Sequence, residues 1–180
     1  MSQEIINKYN NLAGLASTSF ANLRKIDGIG KDKAATLLAV FELSRRIQYQ
    51  SKWFLNSKIT SPEEAAEIFI PLLRDEVKEK FIVVCLSSFK KIIKFEVISV
   101  GNLDSSIVHP REVFKTAIEN NSKSIILIHN HPSGNPEPSR EDISVTQRIV
   151  ESGKVLGIPV EDHIIIAGNS YTSFVQKRLI

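Results

Sequence analysis

The sequence predicts a layered α/β domain, a mixed β-sheet flanked by helices, with a small all-α unit in front of it. Three observations support this. Strand-length runs of Val, Ile and Leu alternate with stretches of helical periodicity over residues 80–174, the pattern of strands and helices layered around one sheet. Residues 20–50 instead hold two helical stretches split by Gly28-Ile29-Gly30, with no strand signal. A hydrophobic content of 42%, including nine Phe in 180 residues, is enough for one full domain plus a small second one. The composition therefore divides the chain at 1–55 and 56–180.

In the first unit a short helix ends near Ile26, the glycines turn the chain, and a long helix runs from Lys31 to Gln50. Ala34, Leu37, Leu38, Phe41 and Leu43 are its expected packing face. A linker containing Trp53 leads to Ser61, which caps a helix with Pro62 at its first position and Glu63 and Glu64 in its first turn. Ala65, Ala66, Ile68, Phe69 and Leu72 form that helix's apolar face. Strands at 80–87 and 92–100 make a hairpin through Ser88-Phe89-Lys90-Lys91, and a helix at 111–121 follows Pro110. Ser124 to Ile128 is apolar without alternation, as in a strand buried on both faces. Three prolines and a glycine between Pro132 and Pro138 make a stiff loop. Ser139 then caps a helix with Asp142 at N3, apolar positions Ile143, Thr146, Ile149 and Val150, and Gly153 as its stop. Strands at 160–167 and near Tyr171–Phe174 complete the chain.

The densest chemistry lies in residues 129–142. If the backbone stays extended past Ile128, His129 and His131 project to the same side and Asn130 turns away. Asp142, in the first turn of the next helix, can face them. Two imidazoles and a carboxylate are a ligand set for one catalytic Zn²⁺ per chain, with a fourth position left for water. Ser-x-x-Asp ahead of an apolar run also reads as a capping box, and the two roles are compatible. Asp162 and His163 are adjacent, so on a strand they face opposite ways and cannot easily share an ion. Each is either an outer support for a metal-bound imidazole or part of a buried structural pair. His109, before Pro110, is a helix-entry or cleft residue.

His129-x-His131-x7-Ser139-x-x-Asp142 resembles the motif of the JAMM (MPN+) zinc hydrolases. The flanks, His129-Asn130-His131-Pro132-Ser133-Gly134, Val108 to Phe114, and Asp162-His163-Ile164-Ile165-Ile166, narrow the likeness to the bacterial RadC family from about Leu23 onward. The resemblance implies a JAMM/MPN-type, cytidine-deaminase-like fold and a metallopeptidase or isopeptidase associated with DNA repair, acting on an unknown protein or peptide. It also implies zinc on His129, His131 and Asp142, Ser139 at the oxyanion, and a glutamate as base ahead of the first core strand. Glu79, two before Phe81, fits that pattern, with Glu76 as the fallback. Family members carry a longer N-terminal segment, so a trimmed or short chain is expected. A zinc deaminase is disfavoured, because its Pro-Cys-x-x-Cys element cannot come from a chain whose one cysteine is Cys85.

Leu23 to Ala34 is similar to a helix-hairpin-helix, which implies weak, non-specific DNA backbone contact through Gly28, Gly30, Lys31 and Lys33. A generic packing turn is the competing reading. Charge supports the first modestly: residues 1–58 hold nine Lys/Arg against four Asp/Glu, whereas the remainder is slightly acidic. A single cysteine, no membrane-length apolar run and no signal peptide predict a soluble cytoplasmic protein without disulfides.

Overall fold

The computed structural model describes Tyr9 and residues 12–50, 57–101 and 108–180, and divides the chain into two compact units, Met1–Ser51 and Lys52–Ile180. In the first unit, α1 (Leu12–Ala16) and α2 (Phe20–Leu23) precede the long α3 (Lys31–Gln50). Ser19 caps α2 by accepting the Asn22 N–H. Leu23, Ile26 and Ile29 recur every third residue and pack inward against Leu15 and Ala34, with Leu37, Leu38 and Phe41 alongside. Leu43, expected on that face, is 58% exposed. Gly28 has φ 80°, a left-handed conformation that favours glycine. Gly30 has no positive φ, and an added Cβ would meet nothing within 4 Å, so the turn itself requires only the first glycine. Most of the expected linker, including Trp53, lies outside the described residues.

In the second unit, Ser61 caps α4 (Pro62–Leu73) by accepting the Glu64 N–H, with Pro62 at the first position. Five strands follow in the spatial order β2-β1-β3-β4-β5: β1 (Lys80–Leu86), β2 (Ile92–Val100), β3 (Ser124–Asn130), β4 (Val160–Ala167) and β5 (Ser170–Ser173). Only β3 and β4 run parallel, the pairing for which a helical crossover is needed, and α6 (Arg140–Leu156) supplies it. All seven residues of β3 are buried, as its unbroken apolar run predicts.

Strand alternation assigns the two faces. Phe81, Val83 and Cys85 of β1 and Ile125 and Leu127 of β3 join Val113, Phe114 and Ala117 of α5 (Pro110–Glu119) and Val145 and Ile149 of α6 in one core. Each such side chain contributes roughly 1.5–3 kcal/mol by leaving water. On the other face α4 packs on β4 and β5, burying Ala65, Ala66, Phe69, Leu72 and Leu73. The sheet is thus mixed and flanked by helices on both sides.

The last crossover helix corrects its expected end. Gly157, at φ 70°, terminates α6, and its N–H bonds the Lys154 carbonyl. Gly153 is buried inside the helix, where a Cβ would stand 2.5 Å from the Ile158 carbonyl oxygen and 3.1 Å from the Phe114 ring. It is required for close approach, not for termination. Val145, unanticipated, takes a core position, while Ile143 and Val150 are only half-buried.

Gly153→Ala is therefore expected to lower unfolding stability by about 1–3 kcal/mol through overpacking. Gly30→Ala, in open space at an ordinary φ, should stay within about 0.5 kcal/mol of wild type. Denaturant midpoints of the two variants check both, and equal midpoints would refute the packing role of Gly153.

Candidate metal centre

The end of β3 sets the site. His129 is fully buried, His131 follows as the strand leaves the sheet, and Asn130 between them points to the other face. The Asn130 side chain is not idle. Its Oδ1 accepts the Lys80 N–H at 2.8 Å and its Nδ2 donates to the Lys78 carbonyl at 3.1 Å, clamping the start of β1. The antiparallel register pairs Phe81 with His129, so two residues back Glu79 falls opposite His131 on the same sheet face. Its charge acts on His131. Glu76 instead pairs with Lys80 at 2.6 Å. Of the two glutamates, Glu79 is the one whose charge acts on a histidine of the group.

The third group arrives with α6. The Asp142 N–H donates to Ser139 Oγ at 3.1 Å, and the Ser139 N–H and hydroxyl both donate to Asp142 Oδ2 at 2.7 Å. This reciprocal capping box holds the carboxylate against the histidines. Asp142 Oδ1 lies 3.4 Å from His129 Nδ1 and Oδ2 lies 3.4 Å from His131 Nε2. Ser139 thus acts on Asp142 directly. The loop orients His131: its main-chain N–H donates to the Ile166 carbonyl, and its ring Nδ1 lies 2.7 Å from the Asn135 carbonyl. A carbonyl can only accept, so Nδ1 carries a proton, and Nε2, beside Asp142, donates to the carboxylate in the charged ring and is the nitrogen left for a metal in the neutral one.

One ligand atom from each of His129, His131 and Asp142 lies within 4.8 Å of the others, so the group could hold a metal ion. Two observations fit one. Both ring nitrogens of His129 are buried without a hydrogen-bond partner among the described residues, an expensive state for a polar ring. Each imidazole also has one Asp142 oxygen at 3.4 Å, Oδ1 for His129 and Oδ2 for His131, so the carboxylate stands between the two rings.

Electrostatics separates the three groups. Burial pushes His129 down to about 3, so its ring is neutral and available as a ligand. The hydrogen bond to Asp142 raises His131 above its ordinary value, against burial. Burial would raise Asp142, but the His131 hydrogen bond, the neighbouring His129 and Ser139 together hold its carboxyl below the usual carboxylate range.

Asp162 and His163 face opposite sides of β4. Asp162 accepts from Ser173 Oγ at 2.5 Å, from its neighbour His163 N–H at 2.7 Å and from Val175 N–H at 3.0 Å, tying β4 to the C-terminal segment away from the histidines. It supports no ligand. His163 points to the site side, its ring 5.8 Å from that of His129 and 4.5 Å from that of Phe174. It stands outside the ligand group but beside it. His109 caps α5 by accepting the Arg111 N–H at Nδ1. In the N-terminal unit Lys31 and Lys33 are exposed, and Lys33 Nζ folds back on the Gly28 carbonyl at 2.9 Å. Two contributors escaped the sequence pattern. The Asn135 carbonyl carries no side-chain signal, and Thr146, one helical turn after Asp142, looked like an ordinary face position.

A mixed sheet covered on both faces, with a His-His-Asp group where the central strand meets a helix N-terminus, fits a JAB-type domain whose triad could hold a metal ion. The RadC-like JAB domain profile matches residues 59–179, and the chain belongs to that family. It is 48% identical to a UPF0758 protein of Methanosarcina barkeri over 183 positions, covering 100% of this chain and 78% of the relative. UPF0758 proteins of Caldanaerobacter subterraneus (46% identity, 98% and 76% coverage) and Staphylococcus aureus (43%, 98% and 77%) are similar over the same extent. Family and triad together suggest a metal-dependent hydrolase. No helix among the described residues is long and apolar enough to cross a membrane.

A pH consequence follows for protein kept metal-free with a chelator. The unfolded chain protonates His129 below pH 6.5, whereas the folded protein resists until about 3, so this stability is present above 6.5 and is lost on acidification. His163, held down by complete burial, acts in the same direction, and the raised His131 opposes them. The melting temperature should fall as the pH drops from 6.5 toward 3. A flat profile would show that the buried rings are not held neutral.

Proposed function

We propose that the protein is a zinc-dependent hydrolase of amide or isopeptide bonds, with His129, His131 and Asp142 holding the ion and Glu79 moving the proton. The observation that supports this best is Glu79 opposite His131 in the β1–β3 register, beside a ligand group with a neutral, unpartnered His129. When bound, zinc supplies Lewis acidity that lowers the pKa of water from about 15.7 to about 7. Asn135 and Ser139 orient the ligands, the first through His131 and the second through Asp142. Glu79 takes the proton from the attacking water and delivers it to the leaving nitrogen, so that one carboxylate serves as base and then as acid. Ser139 stabilises the oxyanion once its hydroxyl rotates away from Asp142 Oδ2. The substrate is a protein or peptide.

His131→Ala should lose most of the zinc, about one ion per chain in wild type, while Glu79→Gln keeps it. In a peptide and isopeptide cleavage screen Glu79→Gln should lower turnover by roughly 10²–10⁴-fold. Unchanged zinc in the first variant would remove the metal site, and full activity in the second would remove Glu79 as the base.

A second reading concerns the N-terminal unit, where Arg24, Lys25, Lys31 and Lys33 are exposed around the left-handed Gly28 turn and the start of α3. We propose that this element acts as a helix-hairpin-helix, contacts DNA phosphates weakly and without sequence preference, and links the domain to DNA repair. Lys31→Ala should weaken binding to duplex DNA at low salt by severalfold and flatten its salt dependence. No binding by wild type at low salt would refute it.

A further inference from the structure

Thr146 and His163 make a fully buried side-chain hydrogen bond on the site side of the sheet that the proposed chemistry leaves unused. Thr146 Oγ1 lies 2.6 Å from the Asp142 carbonyl and 2.7 Å from His163 Nδ1, and both residues are completely inaccessible. The hydroxyl has one proton. Donated to the Asp142 carbonyl, which can only accept, it leaves Oγ1 as the acceptor toward His163. His163 Nδ1 must therefore carry hydrogen, and Nε2 keeps a lone pair. That Nε2 is buried with no partner among the described residues. The ring cannot drift, since Phe174 stacks on it at 4.5 Å and Phe81 meets it edge-on at 5.5 Å.

His129 presents the complementary shortage. With Nδ1, the atom nearest Asp142, given to a metal, a neutral imidazole must carry its proton on Nε2, which is equally buried and unpartnered. A metal-bound histidine normally donates its second N–H to an acceptor, which fixes the tautomer and the ring's direction. The His129 and His163 rings are 5.8 Å apart and inclined by only 26°. A slight rotation of either ring, or one water between them, would join the two nitrogens. On the other side Thr146 ties the turn of α6 that presents Asp142 to β4, the strand beside the histidine-bearing β3.

We infer that Thr146 and His163 are a positioning pair that holds both halves of the ligand set, Asp142 through the threonine hydroxyl and His129 through the free nitrogen of His163. Neither residue touches the ion or the substrate. The pair tunes metal affinity by keeping the strand-borne and helix-borne ligands at one spacing. This rests on the metal reading proposed above.

The test is zinc affinity of the full chain, measured by competition with a chromophoric chelator. Thr146→Val keeps the shape and removes the hydroxyl, and His163→Phe keeps the stack and removes both nitrogens. Each should weaken zinc binding by roughly 10–100-fold, as loss of an outer support does elsewhere. Thr146→Ser, which restores the hydroxyl, should recover most of the loss. Ile149→Val, a core change on the same helix, should lower the melting temperature without altering zinc affinity. In wild type, ¹⁵N shifts should report His163 as the Nδ1–H tautomer. Wild-type affinity in both Thr146→Val and His163→Phe overturns this inference alone, as does failure of Thr146→Ser to rescue. A wild type that binds no zinc overturns the metal reading itself.

Discussion

The burial of His129 is the constraint around which the domain is organised. A polar ring at the centre of a five-stranded sheet, with neither nitrogen hydrogen-bonded among the described residues, costs about 1–3 kcal/mol in lost hydration. The apolar residues that precede it on β3 offset that cost, and the strand carries the ring where Asp142 and His131 can meet it. A metal held at this point would turn the cost into a ligand bond. Such a site is more than a surface cluster of compatible residues.

Around this point each neighbour has a structural and a chemical task. Asn130, turned away from the histidines, clamps the start of β1 with both ends of its amide, and the register so held sets Glu79 opposite His131. Ser139 begins a helix and in the same act directs a carboxylate at two imidazoles. Folding and site assembly are thus one process. A change that looks like a lost helix cap would also release a ligand.

The two histidines are not equivalent. His129 is sealed in and kept neutral by burial, whereas His131 remains partly accessible and is drawn toward its protonated form by Asp142. Of the two, His131 is the one that takes up a proton more readily, and the charge of Glu79 acts on it in the same direction. This asymmetry places one imidazole rigidly in the core and the other toward solvent.

Much of the site was legible in the sequence because its parts are local. Period-two spacing sent His129 and His131 to one side, and a Ser-x-x-Asp signal placed Asp142 in a first helical turn; both depend on interactions within a few residues. Ser61-Pro62 was legible for the same reason. Tertiary packing alone decided the rest. Gly153 looked like a helix stop, but Ile158 and Phe114 made it a contact point and left the stop to Gly157. Leu43 carried a core residue's chemistry and stayed exposed, because α3 packs through a neighbouring stripe. The spacing before Phe81 already favours Glu79 over Glu76, but only packing gives Glu76 its partner Lys80 and brings the charge of Glu79 to bear on His131. Thr146 and His163, seventeen residues apart, join only because a crossover helix folds back on a parallel strand. The sequence by itself determined which residue types could bind a metal and on which elements they lie. The distances between those elements, which decide whether the three groups can share one ion, belong to the packed sheet.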